Sequence, residues 1–387
     1  MRPAASQTPA TISDPVNAAI LAISEDRLAG FQTDPFGEIA TRSGIDVQSV
    51  IERIVAMLQA GTIRRVRQTL LSTSLARGAL CAWEVPPEKL DAAFDYMFAE
   101  DPFSGHVVIR STDSVSAGSS YRLWTTLKVP QGFSLRKHAQ WLSGQVGAQR
   151  FRIMPAKMLF ALGVGHVRRR GLEPGARAGE PAQPLDTSIV ELSELQWRVL
   201  VTLKREFALE ELVRDLWAAR AREAGLDLQA FVDVARELQE LGVIGRFSTF
   251  LEHVKATAGN ERVTRYNALF HWAVAPGLEV RAGCEVGRHY VITHAYWREG
   301  GPEFHEVNVM AVAHGMEKPV VLAHKAAIDE HLREAGVGFT YTNVFWGGRS
   351  EIKPSEIAPS AYRDFCAQRG VDPEAMLAPP DEELGPV

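Results

Sequence analysis

At 387 residues with 46% hydrophobic side chains, the chain is long enough for two or three domains, each with a real core. A formal charge of −5 gives no global pull toward nucleic acid, and with no secretory leader and no apolar run of about 18 residues the expectation is a cytoplasmic protein without a membrane span. Cys81, Cys284 and Cys366 are far apart and match no metal-ligand spacing, so they read as reduced thiols, with neither a disulfide framework nor a metal site.

In chain order, "DPVNAAILAIS" and "DPFGEIATRSG" predict short helices, and "DVQSVIERIVAMLQAGTI" predicts a third, amphipathic one with apolar residues at i, i+3, i+4 and i+7. Three such helices suggest a helix-turn-helix. "IRRVRQTLL" then reads as a wing strand, "GALCAWEV" as a strand and "PPEKLDAAFDYMFAED" as a helix begun by proline. "GHVVIRST", "YRLWTTLKV", "SLRKHAQWLSGQVG" and "RFRIMPAKMLFAL" continue as strand, strand, helix, strand. That βαββαβ order is the ferredoxin-like plan.

After a Gly-, Pro-, Ala- and Arg-rich stretch the same plan returns. "SELQWRVLVTLKREF", "EELVRDLWAARAREAG" and "DLQAFVDVARELQELGVI" predict three helices, and "GRFSTFLEHV" sits at the wing position. "YNALFHWAV", a helix near 277–287, two strands within 289–315, the helix "KPVVLAHKAAIDEHLREAG" and the strand "FTYTNVFWGG" complete a second βαββαβ unit. The fold class expected is α+β, a duplicated module of winged helix-turn-helix plus ferredoxin-like domain. Its segments are an N-terminal tail 1–14, helix-turn-helix 15–72, ferredoxin-like domain 73–162, linker 163–190, second helix-turn-helix 191–255, second ferredoxin-like domain 256–350 and a C-terminal tail 351–387 holding one short helix.

The chemistry concentrates in "HYVITHAYWREGGPEFHEVNVMAVAHG". Alternation along a strand puts His294, Tyr296 and Arg298 on one face and Trp297 on the other. In the next strand Asn308, Met310, Val312 and His314 share a face, and His305 lies in the connection. The first half repeats the spacing in "GHVVIRS", with His106 and Arg110. Guanidinium groups bind carboxylates, and imidazole can deliver a proton near neutral pH, so this face suits an anionic substrate with several carboxylates. His271, His289 and His324 read as packing residues. DNA binding is disfavoured, because both third helices carry more acid than base, although Arg64, Arg65 and Arg67 supply the first wing and Arg246 the second.

With "GTIRRV", "ALCAWEVPPEKL", His-x-x-x-Arg and "YRLWTTL" in one half, and "GVIGRF", "THAYWRE" and "VNVMAVAHG" in the other, the chain resembles the siroheme decarboxylases, as two Lrp/AsnC-like subunits fused over residues 15 to 350. The resemblance implies non-oxidative removal of two acetate carboxyls from siroheme to give didecarboxysiroheme, in haem or haem d1 synthesis. It also implies an iron tetrapyrrole as substrate or ligand and no required cofactor, since the macrocycle takes up the electrons. It points to His314, with His294 or His305, as proton donors, and to Arg65, His106, Arg110, Arg246, Tyr296, Arg298 and Asn308 as substrate-binding groups. Two positions depart from the family pattern: Trp297 stands where members often have a histidine, and Gly245 where they usually have a second wing arginine. Two other functions fit the same residues, a haem or siroheme sensor with His294 or His314 as axial iron ligand and an Lrp-like DNA-binding regulator. Association of two chains into a homodimer is compatible with all three.

Overall fold

Aspartates begin the first three helices. The carboxylates of Asp14, Asp34 and Asp46 accept backbone N–H groups of Val16 and Asn17, of Gly37 and of Ser49, satisfying donors that a helix start leaves without partners. The computed structural model describes residues 8–71, 74–162, 171–185, 189–252 and 264–379. Part of the expected linker, 163–170 and 186–188, and the outer ends of the expected tails, 1–7 and 380–387, lie outside the described residues.

The elements of the first half are α1 (Pro15–Ser24), β1 (Leu28–Ala29), α2 (Pro35–Ser43), α3 (Val47–Gln59), β2 (Ile63–Leu70), β3 (Ala76–Glu84), α4 (Leu90–Ala99), β4 (Ser104–Ser111), β5 (Leu123–Pro130), α5 (Leu135–Val146), β6 (Arg150–Pro155) and β7 (Met158–Leu162). The second half gives α6 (Glu194–Lys204), α7 (Leu216–Glu223), α8 (Leu228–Glu240), β8 (Ile244–Leu251), β9 (Tyr266–Val274), α9 (Glu279–Gly287), β10 (Ile292–Trp297), β11 (Val309–Gly315), α10 (Lys318–Glu334), β12 (Phe339–Ile352) and α11 (Pro359–Arg369). They fall into two compact units.

The first unit holds both helix-turn-helix segments. Its sheet, in the order β1-β8-β2, pairs the two wings with each other, with Val66 opposite Thr249. Leu21, Ile39, Ile54, Met57, Phe231 and Phe247 are among its buried apolar side chains. "EELVRDLWAARAREAG" is not one helix: a short turn at Leu209–Glu211 precedes α7. The break serves an ionic cluster, in which Glu211 turns back to the Ala208 N–H and meets the buried Arg220 at 3.1 Å.

The second unit holds both ferredoxin-like repeats in one nine-stranded sheet, β6-β3-β5-β4-β12-β9-β11-β10-β7. Four strands of each repeat follow the same order, β6-β3-β5-β4 and β12-β9-β11-β10, and the two sets join where β4 pairs with β12. The segment expected as one strand, "RFRIMPAKMLFAL", splits after Pro155, which has no N–H to continue a ladder. β6 stays with its own repeat beside β3, and β7 crosses to the other repeat beside β10. β12 performs the same crossing without a break, since Phe339 to Gly347 pair with β9 and Trp346 to Ile352 with β4. Each repeat thus lends the end of its last strand to the second strand of the other.

Helices cover one face of each repeat, over cores that include Phe94, Phe103, Leu127 and Leu142 in the first and Phe270, Trp272, Ile328 and Leu332 in the second. The opposite faces share a third core of Tyr121, Trp124, Met154, Leu269, Phe304, Met310 and Phe345. Two expectations change. The segment from 351 onward is no mere tail: Ile352 ends β12, and Tyr362, Phe365 and Cys366 of α11 complete the core of the first repeat. Part of the linker also docks: Ala178 and Ala182 donate backbone hydrogen bonds to Arg288 and Cys284, and Leu185 bridges to Leu159.

Candidate functional site

The side chains that carry chemistry lie on the faces turned away from the helices. Cross-strand partners point to the same side of a sheet, so the register assembles one row: Arg110 on β4 faces Gly347 on β12, Gly347 faces Asn267 on β9, and Asn267 faces His314 on β11. Gly347 matters to this row, because a Cβ there would stand 3.2 Å from the Asn267 Cβ. The Arg110 side chain lies across that gap and donates through Nη1 to the Asn267 Oδ1 at 3.3 Å and to the Phe345 carbonyl at 3.4 Å. It is 3% exposed, and burial draws its guanidinium down to about 10. His314 is half-buried.

Next to this row, β10 presents His294, Tyr296 and Arg298 as alternation requires. His294 faces Val312 and Tyr296 faces Met310 across β11. The rings of His294 and Tyr296 stack at 6.3 Å, and the Arg298 guanidinium lies 4.4 Å from the Tyr296 ring centre. Burial dominates here too, lowering the Arg298 guanidinium, partly offset by Tyr296 and Cys81, and raising the Tyr296 phenol. His294 Nδ1 shares a hydrogen bond with the Thr293 hydroxyl at 3.0 Å.

The two His-x-x-x-Arg copies occupy equivalent register positions, His106 opposite Thr126 and His294 opposite Val312. Two residues further along the neighbouring strands, Lys128 in the first repeat stands where His314 stands in the second. His106 is held by the Ser350 hydroxyl at 2.8 Å. Among the described residues, the face of the second repeat carries three imidazoles, His271, His294 and His314, and that of the first carries His106.

Four expected residues have other partners. Asn308 folds back on the backbone, with Oδ1 accepting from Val274 N and Nδ2 donating to Val274 O, both at 2.9 Å, so its amide pins β9 rather than facing a ligand. His305 is exposed on a left-handed turn (φ 55°) and stacks on Tyr341 at 4.2 Å. Arg65 and Arg246 belong to the first unit. There Arg65 pairs with Glu206 at 2.9 Å, and Arg246 Nε donates to the Glu25 carbonyl at 3.3 Å.

Both departures from the family pattern have structural reasons. Trp297 faces Val309 and Met158 on the helix side of β10, with Lys157 5.2 Å above its ring, so a histidine there would not join His294. At Gly245, a Cβ would stand 2.4 Å from the Thr69 hydroxyl, which bonds both the N–H and the carbonyl of Arg246. The wings approach too closely for a side chain at 245.

Sequence reasoning missed Asn267 and Asn343. The signal was present in "YNALFHWAV", where Asn267, Leu269 and His271 alternate with apolar residues and must share a face.

The profile of a family described as "AsnC-like ligand binding domain" matches residues 75–160, the first ferredoxin-like repeat. A siroheme decarboxylase NirH subunit of Stutzerimonas stutzeri is 28% identical over 120 residues, 30% of this chain and 66% of that protein. A siroheme decarboxylase alpha subunit of Desulfovibrio desulfuricans is 32% identical over 97 residues, 25% of this chain and 51% of that protein. The chain thus spans just under two thirds and about half the length of these two relatives. Among solved structures, the siroheme decarboxylase NirDL superposes with a TM-score of 0.63 at 18% identity, covering 91% of this chain and 98% of that one. Its co-complex with an iron-uroporphyrin III analogue gives 0.61 at 17%, covering 92% and 99%. The structural likeness extends through both repeats, and both relatives carry the name of a siroheme decarboxylase subunit.

Proposed function

We propose that the chain is a siroheme decarboxylase that removes two acetate carboxyl groups from siroheme and leaves methyl groups, giving didecarboxysiroheme. The observation that carries the reading is the row Arg110, Asn267, His314 with His294 beside it, a buried cation and two imidazoles on one sheet face. The named relatives support the substrate.

Each turn of the reaction breaks one bond between an acetate CH2 and its carboxylate. CO2 leaves, the electron pair passes into the conjugated macrocycle, and the carbon takes a proton to become CH3, so the balance is one proton consumed per CO2 released. His314 is assigned as the donor and His294 as the group that replaces its proton or serves the second acetate; a positioned donor accelerates such a step by about 10² to 10⁴. Arg110 is better used on a carboxylate that stays. A cation clamped to the departing one would stabilise the ground state, whose charge the transition state disperses. The apolar Val312, opposite His294 and two residues before His314, with Met310 beyond it, gives the departing carboxylate a poorly solvating surface. The reading requires no redox cofactor, because the macrocycle accepts the electrons.

The deciding experiment is anaerobic incubation of the purified protein with siroheme, followed by mass spectrometry of the pigment. Loss of two CO2 units is expected. An unchanged mass accompanied by a Soret shift would instead make the protein a tetrapyrrole sensor, and no change in either would remove both readings.

A further inference from the structure

Among the described residues, three polar side chains on the shared inner face carry buried nitrogens without partners, and the proposed chemistry gives a role to Arg110 alone of them. His271 on β9 is completely buried, and neither ring nitrogen has a hydrogen-bond partner among the described residues. Its cross-strand neighbour Asn343 on β12 uses its Oδ1, which accepts from the Thr112 hydroxyl and the Val344 N–H, but its Nδ2 is buried and unpaired. The Nε of Arg110 is buried and unpaired as well. Burial, with Arg110 and Lys325 acting in the same direction, holds His271 neutral, down to about 3. A neutral imidazole offers one N–H, and the arginine Nε and the asparagine amide nitrogen can only donate. What this group lacks is an acceptor, and beside a guanidinium the favoured acceptor is an anion.

Phe304 packs beside His271 in the shared inner core. Its ring lies 6.2 Å from His271, 5.4 Å from Trp124 and 5.2 Å from Tyr121. Phe304 belongs to the short connection between β10 and β11, which begins at Gly300 and Gly301 and holds His305 and Glu306 in the left-handed region at φ 55° and 56°. Two consecutive non-glycine residues rarely sit there unless the surroundings force them. Gly118 makes room for the ring, since a Cβ there would lie 2.7 Å from Phe304 Cδ1. The connection joins the strand of His294 to the strand of His314.

We infer that His271, Asn343 and Arg110 form a carboxylate subsite, and that the Gly300–Val307 connection is its cover, with Phe304 occupying the position that the ligand's apolar body takes when the subsite is filled. The identity of the ligand, a peripheral carboxylate of a flat macrocycle, rests on the decarboxylase reading. The subsite itself rests on the three unpaired donors and the Phe304 ring beside His271.

The test titrates siroheme anaerobically into the full chain and into His271→Phe, Asn343→Asp and Phe304→Ala, following binding by the Soret band and the product by mass. Phenylalanine keeps the ring and removes the unpaired nitrogens; aspartate keeps the accepting oxygen and replaces the donor with a negative group. Both variants are expected to weaken binding at least tenfold, while Phe304→Ala binds faster. His271→Phe should also melt at or above the wild-type temperature, which a structural role for the imidazole would not allow. Unchanged affinity in the first two variants, or a lowered melting temperature for His271→Phe with unchanged affinity, would overturn the subsite and leave the catalytic reading intact. Weakened binding with no loss of CO2 in the wild type would uphold the subsite and overturn the decarboxylase. Absence of siroheme binding by the wild type would remove both.

Discussion

Arg110 and Arg298 cross over. Each belongs to one copy of the His-x-x-x-Arg repeat, and each donates to a backbone carbonyl of the other repeat, Arg110 to Phe345 and Arg298 to Met154, which are equivalent register positions. The row of polar side chains that reaches His314 therefore includes an arginine from the first half. Arg110→Met is expected to weaken siroheme binding about tenfold or more, the loss of one charge-assisted contact, with little change in melting temperature. Arg298 holds its carbonyl more closely, at 2.5 Å. Arg298→Met should cost stability, on the order of 1–3 kcal/mol, measured by urea unfolding.

His314→Ala is expected to lower turnover by about 10² or more, because it removes the assigned proton donor, while the Soret change on binding persists. His294→Ala should lower it by less. A wild-type rate in His314→Ala, read by single-turnover mass spectrometry, would assign the proton to another group.

Restoring the residues that the resemblance leads one to expect should not raise the proposed activity. Trp297→His places an imidazole on the helix side of β10 and removes the ring that Lys157 covers. We expect turnover within about twofold and a stability loss of about 1–3 kcal/mol. Gly245→Arg forces a Cβ against Thr69 and should lower the melting temperature of the first unit.

Acid should weaken the first repeat through Asp101. This carboxylate is fully buried with His138, the Ser104 hydroxyl and the Phe103 N–H, and His138 in turn meets the Tyr362 hydroxyl of α11 at 3.0 Å. Burial alone would raise its pKa, but the imidazole and these hydrogen bonds outweigh it and hold the carboxyl below its usual range. The stability it contributes is present above about pH 4, where the unfolded carboxyl is also ionised, and is lost as pH falls through the lower folded value. Asp101→Asn should destabilise by about 2–4 kcal/mol near neutrality, and the gap to wild type should close in acid. Deleting residues 358–387 should have a comparable effect through loss of Tyr362 and Phe365.

His271 adds an acid limb of its own. Its folded value, about 3, lies below the unfolded one near about 6.5, so the unfolded chain takes up a proton that the folded chain refuses. Stability should fall as pH drops across that interval, and His271→Phe should flatten this part of a melting-temperature profile against pH.

Much of this was legible in the residues. Period and caps located the helices, and alternation placed His294, Tyr296 and Arg298 on one face and Trp297 on the other. Strand partners were not legible. Nothing local to "RFRIMPAKMLFAL" says that its second part crosses to the other repeat, and so nothing in "GHVVIRS" says that Arg110 serves the face of His314. Asn308 lies two residues before Met310, as period would require of a face residue. It was lost because its amide closes on Val274, a choice settled by where β9 ends.

The exchanged strand ends decide whether the two halves could ever be separate molecules on their own. A single repeat, such as residues 75–160, would keep β4 with one side unpaired, a row of bare N–H and C=O groups that invites association with any other strand. Covalent fusion keeps the matching edge always at hand, at an effective concentration that two dilute chains reach only by tight binding. Read this way, duplication in one chain is a form of quality control: the half that could aggregate alone is made together with the strand that silences it.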